Sequence, residues 1–522
     1  MTTPTYPGIT FNENLQAPAV VLGDVIASAA IVGAHPRGPV DTWVQCNSWA
    51  DVVAQFGDFD VSTTPTDFLV GLYLALAQGG RPVYALRVPN GAEVAATVTI
   101  NDREPSPTDP QPTLTATAVN PGAWGNLISI SVQDSSTDAN GNPRFTFGVW
   151  YDGVLVERYV QVSYDPGDQR YLLALVNGKS NYVVLEDISS SDVSVEDRTP
   201  AETGTGGPPI DTVVPVALAT GADASAPATS AYSTALELLN SLTAPLVLNL
   251  PGVTTATTVD AALDYANERG DTWVVIDSAA GDSSSDVLTR AATYSTTNPS
   301  YGGVYWPRVI IADPSKPASS SAVLTVGAGA AVLGQIILND TNSGPQKAPA
   351  GYGTQLALVV GLESTPSSAD LTACQQTVPA VNPLRAIPGN GVCIFGARTL
   401  QVNGQDDKYV NVRRSLIYIE SNLENQVQFA LFEDNDQNLW AEIAAAVSSW
   451  LTTFWQGGGL KGNTIDEAFF VVCDSTNNTD LTVDSGETHC QVGVALQKPA
   501  EYIIFDISQF AGSTTTTESA AA

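Results

Sequence analysis

The spacing of apolar residues changes several times along the chain, and the changes divide it. Residues 20–33 (VVLGDVIASAAIVG) are almost continuously apolar, as strands buried on both faces are, and His35-Pro36-Arg37-Gly38-Pro39 breaks the run. Ser48 precedes Trp49, Val52, Val53 and Phe56, which recur at helical spacing. Thr66 likewise precedes Phe68, Leu69, Leu72, Tyr73 and Leu76, and Gly79-Gly80 closes that second helix. Residues 83–88 form a compact apolar run, so the pattern up to Val88 predicts strand, helix, helix, strand.

After Pro89 the pattern becomes alternating, as in 127–132 and in a hairpin that joins 144–151 to 154–162 through Asp152-Gly153, a pair suited to a turn with two positive φ angles. Helix and strand alternation returns at 232–242, 246–250, 259–269, 273–277 and 309–313, which predicts a mainly parallel sheet. Further on, 438–455 carries Leu439, Trp440, Ile443, Val447, Trp450, Leu451 and Phe454 on one helical stripe, stopped by Gly457-Gly458-Gly459. Two strand-like runs follow at 488–496 and 502–507, and 512–522 reads as a loose tail. The run 322–338 is short for a membrane span and is broken by three glycines and a glutamine, so it reads as buried core.

Composition narrows the function classes. The 522 residues correspond to roughly three compact units, with 43% hydrophobic residues to build their cores. The 54 acidic residues against 21 basic ones give a formal net charge of −33, a field that repels phosphate backbones and anionic lipid; no nucleic acid and no membrane insertion are expected. Only 14% of residues are charged, so much of the surface is built from uncharged polar residues, a composition suited to contacts between subunits. Five dispersed cysteines indicate neither a disulfide framework nor a Cys-x-x-Cys metal site, and the N-terminal residues lack a signal-peptide pattern, so folding in a cytoplasm is expected.

Candidate chemistry is sparse. His35 and His489 are the only histidines, which limits triads and multi-histidine metal centres. Gly327-Ala328-Gly329 with Gly334 matches neither the dinucleotide fingerprint nor the P-loop and reads as a place where backbones pack closely. The acidic pairs Asp406-Asp407 and Asp434 with Asp436 lack calcium-loop spacing and read as exposed turns. No catalytic, cofactor-binding or metal site is therefore expected, and no cofactor.

Several motifs, in order along the chain, resemble the tail sheath proteins of contractile phages and related injection machines. They are Pro7-Gly8-Ile9, the Pro36-Arg37-Gly38-Pro39 turn, Ser48-Trp49 with Phe56-Gly57, and Gly79-Gly80-Arg81-Pro82. Later come Lys347-Ala348-Pro349-Ala350, Asn382-Pro383-Leu384-Arg385, Gly396-Ala397-Arg398-Thr399-Leu400, Arg413-Arg414, Phe432-Glu433 with Asn435-Asp436, Asp466-Glu467-Ala468-Phe469-Phe470-Val471, and Pro499-Ala500-Glu501-Tyr502.

The resemblance implies an α/β and α+β multidomain chain. Its parts would be an N-terminal arm at 1–19, a middle α/β domain at 20–95 and 210–378, a β-rich outer insertion at 96–209, an inner α+β sheath domain at 379–511 joined by the arm and carrying a C-terminal arm strand, and the tail at 512–522. It implies no enzyme but a sheath subunit that polymerises helically with itself around a tail tube protein, meets baseplate and tail terminator proteins, and contracts to drive the tube through a cell envelope. The subunit would be made in the host cytoplasm and reside in the virion tail. Strand exchange between copies would use Ile9, Phe11, Tyr502, Ile503, Ile504, Phe505 and Ile507, although ordinary edge strands within one subunit fit the same residues. Arg413, Arg414 and Lys461 would face the tube, with core-adjacent salt bridges as the alternative for the two arginines. A cellular injection system in place of a phage, or an acidic hydrolase with a carbohydrate-binding insertion, are the competing readings.

Overall fold

The computed structural model describes residues 26–60, 64–103, 110–137, 143–190, 194–203, 214–223, 226–317, 320–402, 406–501, 506–511 and 514–519. The chain divides into two compact units, and the division falls inside the helix Val410–Val427, between Arg414 and Ser415. The larger unit includes 27–414 and the chain from Lys498 onward; the smaller includes 415–497. Ile9, Phe11, the arm at 1–19, and Tyr502, Ile503, Ile504 and Phe505 lie outside the described residues.

The larger unit is built on an eight-stranded sheet. From one edge the order is Gly391–Ile394, Val381–Ile387, Gly302–Trp306, Thr272–Asp277, Leu246–Asn249, Ser28–Gly33, Val83–Arg87 and Trp43–Cys46. The six inner strands are parallel and each outer strand is antiparallel to its neighbour. Ser28–Gly33, Leu246–Asn249, Thr272–Asp277 and Gly302–Trp306 are buried at every position, which is why their sequences are apolar without alternation. Ser48 and Thr66 cap the helices Trp49–Phe56 and Asp67–Gln78 as their spacing predicts, and Gly79 ends the second in a left-handed conformation.

The sheet differs from the sequence expectation at two places. The run at 309–313 supplies Val309–Ala312 to a separate antiparallel sheet with Val323–Val326 and Val359–Leu362. Its place in the large sheet is taken by Gly302–Trp306, whose two leading glycines hide its strand character, and by Val381–Ile387. The latter carries residues 381–387 into the larger unit, whereas an inner domain from 379 was expected.

Gly327-Ala328-Gly329 leads into the helix Gly329–Ser343 against the carboxylate of Asp277 at the end of its strand. Asp277 is 1% exposed and accepts from Gly329 N–H at 2.5 Å and Gly252 N–H at 3.0 Å, so a side chain of this protein sits where a helix N-terminus attracts negative charge. A Cβ on Gly329 would lie 2.3 Å from Asn249 Nδ2, and one on Gly334 would lie 2.7 Å from Cβ of Gln78 on the facing helix. Close packing is what these glycines provide.

The insertion folds mainly into β structure with its own core. One antiparallel sheet runs Val216–Ala217, Ile128–Thr137, Pro143–Tyr151, Val154–Val162; the other pairs Thr97–Asn101, Pro112–Ala118 and Val183–Asp187. Phe145, Phe147, Val149, Leu114 and Tyr164 are fully buried among them. Asp152 and Gly153 take φ of 49° and 75°, the turn their sequence predicts. Pairing of Val94 with Ala222 and of Thr97 with Ala219 extends the insertion past 209.

In the smaller unit the helix Gln437–Gln456 is capped by Asp436, and Leu439, Trp440, Ile443, Val447, Trp450 and Leu451 are its buried face. That face packs with Ile419, Phe469 and Cys473 near the hairpin of Phe469–Val472 with Gln491–Val494. In the larger unit, beyond residue 505, the chain forms a further antiparallel pair, Asp506–Ala511 with Thr514–Ser519, where a loose tail was expected from 512. Ile507 lies in its first strand. Among the described residues no helix is long and apolar enough to cross a membrane.

The packing at Gly329 gives a direct test. Gly329→Ala should lower unfolding stability by about 1–3 kcal/mol, because the added methyl forces Asn249 and Asp277 apart. Gly353→Ala, where a Cβ meets nothing within 4 Å, should change it by less than about 0.5 kcal/mol. Urea midpoints of both variants check this.

Candidate functional site

Three places concentrate polar contacts where large parts of the larger unit meet or a terminal segment leaves. The first is the His35–Pro39 turn, between the sheet and the insertion. Arg87, 1% exposed at the end of its strand, donates to the carbonyls of His35 at 2.6 Å, Gly38 at 2.8 Å and Pro121 at 3.3 Å, with Glu93 3.9 Å away. Arg37 lies over three aromatic rings of the insertion, 4.5 Å from the centroid of Trp124, 5.0 Å from Tyr182 and 5.4 Å from Tyr151. Two guanidiniums thus fix the angle at which the insertion leaves the sheet.

His35 in the same turn is held neutral by its burial. Nε2 lies 2.9 Å from the Phe56 carbonyl, which can only accept, so Nε2 carries the proton and Nδ1 accepts from the Thr66 hydroxyl at 2.8 Å. Burial, with Arg87 and Arg37 nearby, lowers the imidazole to about 4.

The second place is the root of the C-terminal segment. Arg398, from the Gly396-Ala397-Arg398-Thr399-Leu400 motif, grips Glu501 with two bonds, Nε to Oε1 at 2.9 Å and Nη2 to Oε2 at 2.5 Å. Its Nη1 donates to the Gln375 carbonyl. Asn382 fixes the Arg398 backbone from both sides, accepting from its N–H and donating to its carbonyl, each at 2.7 Å. A bidentate pair on a fixed backbone holds the chain where residue 502 begins. The sequence contains both motifs, but nothing in their spacing pairs them.

The third place holds two of the expected tube-facing residues. Arg414 is 5% exposed and forms a bidentate pair with Asp340, Nη1 to Oδ1 at 2.7 Å and Nη2 to Oδ2. Its charge is neutralised inside the unit, as the salt-bridge alternative has it. Burial raises the Asp340 carboxyl while Arg414 pulls it back down. Arg413 is half-buried, with its guanidinium carbon 4.0 Å from the Tyr301 ring centroid and Nη2 donating to the Tyr301 hydroxyl. Lys461 belongs to the smaller unit and is exposed, its backbone N–H donating to Ala495 at 2.7 Å. The three are not brought together as one patch within either unit.

Sequence reasoning also missed an exposed apolar tip in the smaller unit, Phe429, Leu431 and Phe432, with Phe432 at φ 69°. Asp436, from one of the acidic pairs, accepts from the N–H groups of Asn438 and Leu439 as a helix cap.

Residues 403–510 match the family model of the phage tail sheath C-terminal domain. The chain is 27% identical over 185 residues, 35% of its length, to the tail sheath protein of Vibrio phage KVP40, and 27% identical over 157 residues, 30% of its length, to that of Enterobacteria phage T4. The matched stretches span 26% and 23% of those two relatives, about a quarter of their length. The fold is similar to the sheath of an extracellular contractile injection system, PVC, in its contracted state, with a TM-score of 0.59, 18% identity and coverage of 98% of this chain and 99% of that one. The resemblance read from the motifs to contractile tail sheath proteins is borne out.

Two outcomes follow from these contacts. Arg414→Ala should cost about 3–5 kcal/mol in urea unfolding by stranding the Asp340 charge, whereas Asp340→Leu with Arg414→Met should recover most of the loss. For His35, the folded imidazole titrates near 4 against 6.5 unfolded, so the unfolded chain binds the extra proton between those values. Stability is then complete above pH 6.5 and falls toward pH 4 by about 3 kcal/mol from this residue. Urea midpoints at several pH values should show a steeper acid loss for the natural chain than for His35→Gln.

Proposed function

We propose that this chain is a structural, non-catalytic subunit of the sheath of a contractile tail or injection system. The observation that carries the reading is the conjunction of the sheath C-terminal family match at 403–510 with a sheath-like fold over 98% of the chain. The subunit assembles with itself as an open helix around an inner tube, its repeating contact being heterologous. Baseplate and terminator proteins bound the cylinder at its ends.

The segment beyond Glu501 is the exchanged arm. It leaves a fixed point, the Arg398–Glu501 pair, and continues as β structure whose edges can add to a sheet of a neighbouring copy. Ile507 lies on that segment; Tyr502, Ile503, Ile504 and Phe505 precede it, and Ile9 and Phe11 serve the same purpose at the other end of the chain. Backbone bonds of this kind persist while domains pivot, so contraction rearranges side-chain contacts without releasing copies. Lys461 is the tube-facing cation best supported by its exposure, since Arg414 is committed to Asp340. Energy is stored in the difference between two packings of the same subunits, and contraction runs downhill without a nucleotide.

Arg398→Ala and Glu501→Ala each leave the arm root unpinned. Negative-stain microscopy of the natural chain expressed alone should show cylinders, and each variant should shift most protein into short or discrete particles while keeping the far-ultraviolet circular dichroism of the natural chain. Discrete, unpolymerised particles from the natural chain under all assembly conditions would contradict the sheath reading.

A further inference from the structure

Cys473 and Cys490 stand at the loop end of the hairpin in the smaller unit, one residue beyond its last ladder pair. Its ladder pairs Phe469 with Val494, Phe470 with Gly493, Val471 with Val492 and Val472 with Gln491. One further step in this register sets Cys473 opposite Cys490. The type of that pair follows by parity. Ala495 N–H donates to the Ala468 carbonyl at 2.8 Å, which makes Ala468 and Ala495 a hydrogen-bonded pair. Pair types alternate along an antiparallel ladder, so Phe469–Val494, Val471–Val492 and Cys473–Cys490 are non-hydrogen-bonded pairs. There opposed Cα atoms lie about 4.5 Å apart, inside the window that a disulfide spans.

The two side chains also point the same way. Phe469, Val471, Cys473, Cys490, Val492 and Val494 all contribute to one apolar cluster, so the thiols share the core face of the hairpin. Each sulfur perturbs the other; burial and the neighbouring Cys473 push the Cys490 thiol up to about 12, while Cys473 is raised chiefly by burial. Asn478, 3% exposed, holds the intervening loop closed by accepting from His489 N–H at 2.6 Å and donating to the His489 carbonyl at 3.0 Å.

We propose that Cys473 and Cys490 are a disulfide-forming pair, reduced during folding and joined by a small-molecule disulfide once the protein meets an oxidising medium. The Cys490 thiolate attacks one sulfur of that reagent, forming a mixed disulfide and releasing one thiolate. The Cys473 thiolate then attacks Sγ of Cys490, closing the intrachain bond and releasing the second. The two protons lost by the cysteines pass to the two released thiolates, and the reagent takes up both electrons.

Oxidised glutathione on the purified full chain is the test. No Lys or Arg lies between Lys461 and Lys498, so trypsin releases both cysteines in one peptide. After oxidation that peptide should lose the mass of two hydrogens, and cleavage after Asp or Glu should leave its two halves joined until reductant is added. The thermal midpoint of the oxidised chain should rise by about 5 °C or more, with no rise in Cys490→Ser or Cys473→Ala. Retention of both thiols under conditions that fully oxidise a reference dithiol, or crosslinking of Cys490 between chains, would overturn the proposal. Neither outcome bears on whether the chain forms cylinders.

Discussion

A buried guanidinium holds the larger unit in register with its own insertion. Arg87 ends an inner parallel strand, where its N–H groups reach the His35 and Gly38 carbonyls of one turn and the Pro121 carbonyl of the insertion. The sheet is closed only when strands from both sides of the insertion, Ser28–Gly33 and Leu246–Asn249, lie side by side. A β domain interposed between them must therefore leave and return at one place. Arg87 and the ring-stacked Arg37 define that place, and they are charges with no solvent to retreat to. The same economy recurs at Asp277 under its helix and at Asp340 facing Arg414. In a chain with few charges, the buried ones are committed to joints.

The sequence made local structure legible wherever the signal is local. Ser48 and Thr66 cap their helices, Asp152-Gly153 makes its turn, and the apolar stripe on Gln437–Gln456 faces a core. Partner choice was less visible. Val309–Ala312 has the composition of a parallel-sheet strand and pairs elsewhere, whereas Gly302–Trp306 begins with glycines and takes a central place. Periodicity records burial but not which strand lies alongside. The pairings Arg398–Glu501 and Asp340–Arg414 were invisible for the same reason, each joining residues far apart in the chain. The cysteine pair was equally hidden, since only the register of a short hairpin sets Cys473 opposite Cys490.

These features fit a subunit that bears load rather than one that turns over substrate. On that reading, the joint between sheet and insertion, the close helix packing at Gly334 and the Arg398–Glu501 pair would transmit force within a copy. On the proposed function, load between copies would pass through segments at the chain ends, where backbone pairing tolerates rotation of the bodies it connects. The account therefore needs rigidity inside each unit and continuity across the interface.

Helical reconstruction of cylinders assembled from the full chain tests that continuity most directly. The account predicts that the strand following Glu501 in one copy is hydrogen-bonded into a sheet of an adjacent copy. A map in which that strand pairs solely within its own chain would contradict it.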